Sequence, residues 1–264
     1  MDFLSEILAQ KRERLAEAKK LRPIEALRAE ALQVREGARP RALLHALRDS
    51  SRLNVIAEVK RASPSKGIIN SGINPAEVAR AYEAGGACAI SVLTEENRFR
   101  GSLEDLRMVR AAVHLPVLRK DFIFDEHQLY EAAEAGADAL LLIVAALDDA
   151  RLSHLRRVTE DELGMDALVE IHTKDEMERA LSCGAELIGV NNRNLHTFEV
   201  SMDVSTELAN SAPKDAVLIS ESGLRTKDDL LALRALGYSG FLIGETLMRS
   251  YNPEQALREL LAAS

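Results

Sequence analysis

The stretch Glu126-His127-Gln128-Leu129-Tyr130-Glu131-Ala132-Ala133-Glu134-Ala135-Gly136-Ala137-Asp138-Ala139-Leu140-Leu141-Leu142-Ile143 contains two rhythms and the joint between them. Residues 126–135 place apolar side chains at helical spacing. Gly136 follows where a helix ends, since glycine takes the left-handed conformation of a C-terminal cap at little cost. Residues 139–143 are then a short aliphatic run of strand character. The same joint recurs at Glu83-Ala84-Gly85-Gly86-Ala87, Ser182-Cys183-Gly184-Ala185-Glu186 and Ala235-Leu236-Gly237-Tyr238-Ser239. It returns about every 50 residues, the length of two βα units and within the range that marks a repeated architecture.

On either side of these joints, short β-branched and aliphatic runs alternate with amphipathic stretches, the signature of βα units and a parallel sheet. Eight strands are predicted, at residues 54–59, 88–93, 116–119, 139–143, 167–171, 187–190, 217–220 and 240–243. Helices are predicted at 76–84, 103–112, 126–135, 149–162, 174–182, 204–210, 227–236 and 254–262. This pattern predicts an α/β protein, a single (β/α)8 TIM barrel, an architecture of about 250 residues. The rival, an open doubly wound sheet, would carry G-x-G-x-x-G after its first strand, and that motif is missing there. Residues 2–47 are helical and charged, cut at Pro23 and Pro40, with no strand. Two parts are therefore expected: an N-terminal helical extension packed on the barrel, residues 1–48, and the (β/α)8 barrel, residues 49–264.

Composition narrows the function classes. With 264 residues, 47% apolar and 29% charged, disorder is excluded as a main theme. Against 34 Lys and Arg stand 42 Asp and Glu, a net charge of -8 and the wrong sign for a phosphate-backbone binder. No tryptophan and 4% aromatics also argue against stacking on nucleic acid. The longest apolar run, 139–147, is far shorter than the roughly 20 residues of a membrane span. The acidic start Met1-Asp2-Phe3-Leu4-Ser5-Glu6 is unlike a secretory signal, so a cytoplasmic location is expected. Cys88 and Cys183 fit no zinc or disulfide pattern and read as buried, reduced packing residues.

In a barrel of this kind the chemistry occupies the C-terminal ends of the strands. The strand period of two puts Glu58 and Lys60 on the inward face with Ile56, Lys120 with Leu118, and Glu170 with Leu168. Asn191 ends the sixth strand and Glu221 the seventh. Six charged or amide groups are thus expected to meet in one cavity, with none at the opposite end of the barrel. An inert protein has little reason to gather them, because an unpaired buried charge is costly.

The loops after the seventh and eighth strands, the common phosphate site of such barrels, read Glu221-Ser222-Gly223 and Ile243-Gly244-Glu245. Glycine lets backbone amides approach an anion, and Ser222 adds a hydroxyl. Glu245 fits there only with its carboxylate turned outward, and Lys60 would supply the positive charge. Arg61-Ala62-Ser63-Pro64-Ser65-Lys66-Gly67 is longer than the about 4–6 residues usual in such a connection, which makes it a candidate lid. Phe99 and Phe122 are candidate walls for a flat ring. His172 stands close to Glu170, but no third ligand accompanies them and no metal is expected. A serine or cysteine nucleophile with a histidine base is not evident either. Acid–base work by lysine and glutamate remains.

Six stretches carry a resemblance: Ile56-Ala57-Glu58-Val59-Lys60-Arg61-Ala62-Ser63-Pro64-Ser65-Lys66-Gly67, Ile90-Ser91-Val92-Leu93-Thr94-Glu95, Leu118-Arg119-Lys120-Asp121-Phe122-Ile123, Leu168-Val169-Glu170-Ile171-His172, Gly189-Val190-Asn191-Asn192-Arg193-Asn194-Leu195 and Ser220-Glu221-Ser222-Gly223. Together they resemble the indole-3-glycerol-phosphate synthase family, and the match covers essentially the whole chain. The resemblance implies a step of tryptophan biosynthesis. In that step 1-(2-carboxyphenylamino)-1-deoxyribulose 5-phosphate closes to indole-3-glycerol phosphate, losing CO₂ and water. It implies Lys120 as general acid and Glu170 as general acid/base, with Glu58, Lys60, Asn191 and Glu221 as the remaining catalytic positions. Arg193, Ser222, Gly223, Gly244 and Glu245 match substrate or phosphate contacts; Lys60, Ser63, Phe99 and Phe122 complete the expected binding set. One departure is Arg98-Phe99-Arg100, where the family more often has a second aromatic before the phenylalanine. No cofactor or metal is implied, and the implied partner is a small phosphorylated substrate. A monomer is implied, with association with other enzymes of the pathway left open.

Ring closure needs an electrophilic ribulose carbonyl, which an ammonium donor at Lys120 polarises or protonates. We expect Lys60 and burial to lower the Lys120 pKa toward the working pH. Dehydration needs acid help on a departing hydroxyl and removal of a ring-amine proton, tasks that Glu170, Glu58 and Asn191 would divide. Two other readings are a phosphate-binding isomerase, which would need a Cys and Asp pair, and a catalytically silent barrel that senses a sugar phosphate.

Overall fold

The aliphatic runs form eight strands in the computed structural model, which describes residues 3–262. Met1, Asp2, Ala263 and Ser264, the outermost residues of the two expected parts, lie outside the described residues. The strands are β1 (Val55–Val59), β2 (Ala89–Leu93), β3 (Val117–Lys120), β4 (Ala139–Ile143), β5 (Asp166–Ile171), β6 (Leu187–Asn191), β7 (Val217–Glu221) and β8 (Tyr238–Ile243). All pair in parallel, and β1 meets β8 as well as β2, which closes the barrel. The four glycines of the repeated joint behave as the sequence requires. Gly86, Gly136, Gly184 and Gly237 have φ of +98°, +86°, +83° and +100°, the left-handed region that glycine enters without strain.

The helices of the repeat are α4 (Pro75–Gly85), α5 (Leu103–Ala112), α6 (Glu126–Glu134), α7 (Asp149–Arg157), α8 (Lys174–Ser182), α9 (Asp203–Ala209), α10 (Lys227–Ala235) and α12 (Pro253–Leu261). Short polar side chains start most of them. Asn74, Ser102, Asp125, Asp148, Thr173, Thr226 and Asn252 each accept a first-turn N–H, a cap that stabilises a helix by about 1 kcal/mol. The helix expected over 149–162 stops sooner: after Arg157 the backbone widens into a π turn, Val158–Glu162. Two further pieces were not expected. One is the short helix α11 (Glu245–Met248) directly after β8; the other is a small hairpin, Ala62–Ser63 with Gly67–Ile68, inside the long first loop.

Alternation along the strands sorts the core into two clusters. Outward-facing Val55, Ala57 and Val59 join Tyr82, Leu106 and Leu129 of the surrounding helices. Inward-facing Ile56, Leu118, Leu141, Leu168, Leu187 and Ile219 fill the barrel itself. Each Val, Leu or Ile among them stabilises the fold by about 1.5–3 kcal/mol through burial. The extension comprises α1 (Phe3–Leu21), α2 (Ile24–Arg35) and α3 (Ala42–Leu47), with the first break at Pro23. Leu43, Leu44 and Leu47 of α3 belong to the inner cluster and stop the lower end of the barrel. Gly240 of β8 makes the fit possible, because a Cβ there would lie 2.5 Å from Leu47 Cδ2.

The lower end also corrects an expectation, for it does hold buried charge. Asp166, at the start of β5, is fully buried. Its Oδ1 accepts from Arg41 Nε at 2.6 Å, and its Oδ2 accepts the backbone N–H groups of Leu43 and Leu44 at 2.8 and 3.1 Å. Arg41 also faces Glu160 and Glu186. The sequence reading passed over Asp166 because it starts the fifth run rather than ending it.

Candidate active site

The upper end of the barrel opens into a cavity of about 750 Å³. Strand register builds its floor. Glu170 pairs across to Gly189, and Asn191 to Glu221, so β5, β6 and β7 end at one level. Glu58, Lys60, Lys120, Glu170, Asn191 and Glu221 all reach this cavity. Lys120 Nζ stands 3.5 Å from Glu170 Oε2 and 3.2 Å from Glu221 Oε2, bridging the two carboxylates. Lys60 Nζ and Glu58 Oε1 are 2.5 Å apart. Two glycines make room for these acids. A Cβ at Gly189 would lie 2.2 Å from Glu221 Oε1, and one at Gly244 2.3 Å from Glu58 Oε1.

Electrostatics on the floor differ from expectation. Burial alone would lower the pKa of Lys120, but Glu221, Glu170 and Glu58 more than offset it, and the net direction is upward. The expectation of a lowered pKa is thereby overturned, because Lys60 is engaged by Glu58 while three carboxylates surround Lys120. Burial raises the Glu221 pKa to about 7; Lys120 opposes the rise, and Glu170 and Glu58 add to it. Among the described residues, neither Glu221 oxygen has a well-formed hydrogen bond, and the Lys120 ammonium at 3.2 Å is the cation beside them.

The remaining expected residues line the same cavity: Ser63, Phe99, Phe122, Arg193, Ser222, Gly223, Gly244 and Glu245. The Phe99 and Phe122 rings lie 6.3 Å apart at 42°, forming one aromatic wall. Ser222 and Gly223 are consecutive left-handed residues, φ +66° and +85°, turning the chain sharply after β7. Glu245 opens α11, and its carboxylate is drawn to Arg249 at 3.1 Å, one turn along the helix. Arg193 donates to Ser65 Oγ and to the Phe198 carbonyl, both at 3.1 Å, and so ties the first loop to the loop after β6. Cys88 and Cys183 are buried and lie outside the cavity lining, so the Cys and Asp pair of an isomerase is not assembled here.

Several contributors escaped the sequence reading. Phe3 of α1 lines the cavity and meets Phe198 edge-on, ring centroids 4.7 Å apart. Nothing in a helical arm announces a contact almost 200 residues away. Arg225 and Arg249 add cations near the glycine turns. Glu95 is buried, and its carboxylate accepts the N–H groups of Asn97, Arg98 and Phe99 at 2.9, 2.6 and 3.0 Å, which shapes the Phe99 loop. Asp121, next to Lys120, is buried against Lys11 of α1 at 2.7 Å. Burial would raise its pKa, but Lys11 and Arg119 more than offset that and hold it low. The sequence shows Asp121 directly after Lys120, but not its tie to Lys11 on α1.

A closed (β/α)8 barrel with an ammonium–carboxylate floor under an aromatic wall defines the barrel enzymes that work by acid–base chemistry at their strand ends. Residues 4–260 match the family model described as indole-3-glycerol phosphate synthase. Among relatives of that name, one from Carboxydothermus hydrogenoformans is 49% identical over 98% of this chain and 100% of its own length. One from Mycolicibacterium gilvum is 56% identical over 79% of this chain and 76% of its own, and one from Albidiferax ferrireducens is 44% identical over 100% and 99%. The chain belongs to the indole-3-glycerol phosphate synthase family, carboxy-lyases of tryptophan biosynthesis. Solved structures with the same fold include thiamine phosphate pyrophosphorylase from Pyrococcus furiosus, with TM-score 0.59, 16% identity, and coverage of 79% of this chain and 93% of that one. Another is KGPDC from Streptococcus mutans, with TM-score 0.59, 14% identity, and coverage of 79% and 95%. Among the described residues, no helix is long and apolar enough to cross a membrane.

Proposed function

We propose that Lys120, as an ammonium ion between Glu170 and Glu221, activates the ribulose carbonyl of 1-(2-carboxyphenylamino)-1-deoxyribulose 5-phosphate for ring closure. The observation that carries this is the Lys120 bridge at the floor of the cavity. As the aryl carbon attacks, negative charge gathers on the carbonyl oxygen, and a fixed cation in a desolvated site stabilises it strongly. With its pKa raised, Lys120 serves as a permanent positive donor. Glu221, at about 7, gives and takes protons near neutral pH. Loss of CO₂ then restores the aromatic ring, a step suited to the apolar wall of Phe99 and Phe122. In the dehydration, the hydroxyl leaves as water with one added proton, and a carboxylate removes a proton from the neighbouring ring CH₂, so that the carbon–carbon double bond of the indole forms and its N–H is kept. Glu170, with Glu58 and Asn191 beside it, is assigned to that work.

The phosphate is assigned to the turns at Ser222-Gly223 and Gly244-Glu245, the usual place in this architecture. Lys60 supports the assignment, since its partner Glu58 rests on Gly244. Holding phosphate at one end and the ring at the other brings two parts of a flexible molecule together, an advantage worth several kcal/mol in such reactions. Arg193 and Ser63 are assigned to the rim. The division into an extension, 1–48, and a catalytic barrel, 49–264, belongs to the same reading: the barrel supplies every acid and base, and the extension lends Phe3. We take the monomer as the working form, as the resemblance to the family implies. A charged phosphorylated intermediate of amino-acid biosynthesis supports a cytoplasmic location, where other enzymes of the pathway are available as associates.

The test is direct. The purified, metal-free protein is mixed with the carboxyphenylamino-deoxyribulose phosphate, and indole absorbance and fluorescence are followed. The chain has no tryptophan, so indole emission is free of a protein indole background. Turnover without added cofactor is expected. Binding without turnover would instead support a sensor.

A further inference from the structure

His172 follows Glu170 by two residues and leaves β5 on the same side. Its side chain is 13% exposed and does not line the cavity. Nε2 stands 3.5 Å from Glu170 Oε1, while the other carboxylate oxygen, Oε2, faces Lys120. That nitrogen is buried and has no hydrogen-bond partner. On the other side of the ring, Nδ1 stands 3.4 Å from Glu176 Oε2 in the first turn of α8. Glu176 is itself fixed. The same oxygen accepts the backbone N–H of His172 at 2.6 Å, and the backbone N–H of Glu176 is capped by Thr173 Oγ1 at 3.2 Å. A row of carboxylate, imidazole and carboxylate therefore runs from the floor of the cavity to the start of a helix.

We propose that His172, anchored by Glu176, is a positioning residue for Glu170: as an imidazolium it holds Oε1 of that carboxylate in place for its proton transfers. The inference rests on the reading of Glu170 as the acid–base group. When Lys120 turns its charge to the substrate oxygen, His172 is the cation left facing Glu170. The ring touches no space a substrate fills, so it acts only through its neighbour. The charged groups facing it are Glu170 on β5, Glu176 on α8 and Glu221 on β7, with Lys120 beyond Glu170. Burial lowers the pKa of the ring, and these carboxylates more than offset it, so the imidazolium persists above the usual histidine range. Glu176 is correspondingly held low: burial would raise its pKa, but the His172 hydrogen bonds and charge offset that.

The experiment measures kcat and KM against pH for the wild type, His172→Gln, Glu176→Gln and Glu170→Gln. For His172→Gln we expect kcat to fall about tenfold, less than the about 10²–10⁴ of a lost acid–base group, with KM near wild type. Its alkaline fall in kcat, set by loss of the ring proton, should disappear. Glu176→Gln should move that fall to lower pH, because the ring loses a carboxylate; this variant decides the matter alone if His172→Gln does not fold. A His172→Gln profile superimposable on the wild type, or a rise in KM with kcat unchanged, overturns the inference. If Glu170→Gln is inactive while the His172 profile is unaltered, the role of Glu170 stands and the positioning role falls. If Glu170→Gln turns over normally, both fall together.

Discussion

Asp166 and Glu221 are both fully buried carboxylates of the same barrel, at opposite ends, and the protein treats them differently. Asp166 has both oxygens occupied, one by Arg41 and the other by two backbone N–H groups of α3. Among the described residues, Glu221 has neither oxygen in a well-formed hydrogen bond, and its nearest cation is shared with Glu170. Glycine is used differently as well. Gly240 at the lower end admits an apolar side chain, Leu47, whereas Gly189 and Gly244 at the upper end admit carboxylate oxygens. A buried charge whose partners are all supplied by the chain holds structure together. Glu221, left short of partners at the edge of a cavity, is free to meet a ligand there.

The hardest test of this contrast is Lys120→Ala. Turnover should fall about 10⁴-fold, the upper range for a lost acid–base and charge-stabilising group, or about 5.4 kcal/mol on the barrier. Substrate affinity, measured by equilibrium titration, should stay near the wild-type value. Activity close to wild type would remove the reason for separating the two ends. Asp166→Ala should do the opposite. It strands Arg41 and two backbone donors in a buried setting, which costs about 3–5 kcal/mol of stability in urea unfolding. Its kcat per folded molecule should be unchanged; a loss of kcat without a loss of stability would contradict the structural role of the lower end.

A smaller effect is expected from Gly189→Ala. The new Cβ would need the space of Glu221 Oε1, 2.2 Å away, so the carboxylate must shift. A displacement of about 1 Å at a reacting group costs about 10²-fold in kcat. Gly37→Ala in the extension, where a Cβ meets nothing within 4 Å, provides the control and should leave kcat alone. If both variants behave alike, the glycine is not there for the acid.

The barrel was legible because the helix–glycine–strand joint repeats, and each copy fixes a left-handed cap and an apolar run. The upper charges were legible because strand alternation and strand ends say where a side chain points. What escaped needed distance information. Asp166 was missed because its partners, Arg41 and the N–H groups of Leu43 and Leu44, lie over 120 positions away. Phe3 escaped for the same reason. The charge state of Lys120 was misjudged because it is set by Glu221 and Glu170 closing on the ammonium from β7 and β5, and alternation does not contain those distances. The helix α11 is short, with four residues, and lacks the periodicity by which longer helices show themselves.

The finest distinction between the two ends is in how stability depends on pH. The folded-state pKa of Glu221 is about 7 against an ordinary 4.5, so folding favours its neutral form. That contribution is fully present below the unfolded value of 4.5 and is lost as pH rises through 7. Glutamine imitates the neutral carboxyl at every pH. A pKa raised from 4.5 to about 7 is worth about 3 kcal/mol at pH 8, so Glu221→Gln should melt higher than the wild type there by about 6–12 °C for a protein of this size. At pH 4 the two curves should meet. If Glu221 carries protons as proposed, turnover should drop at the same time, the trade of activity for stability seen at working sites. If Glu221→Gln instead melts lower at pH 8, Glu221 holds the barrel together as Asp166 does. The upper end would then be a second structural knot, and the argument for chemistry would rest on Lys120 and Glu170 alone.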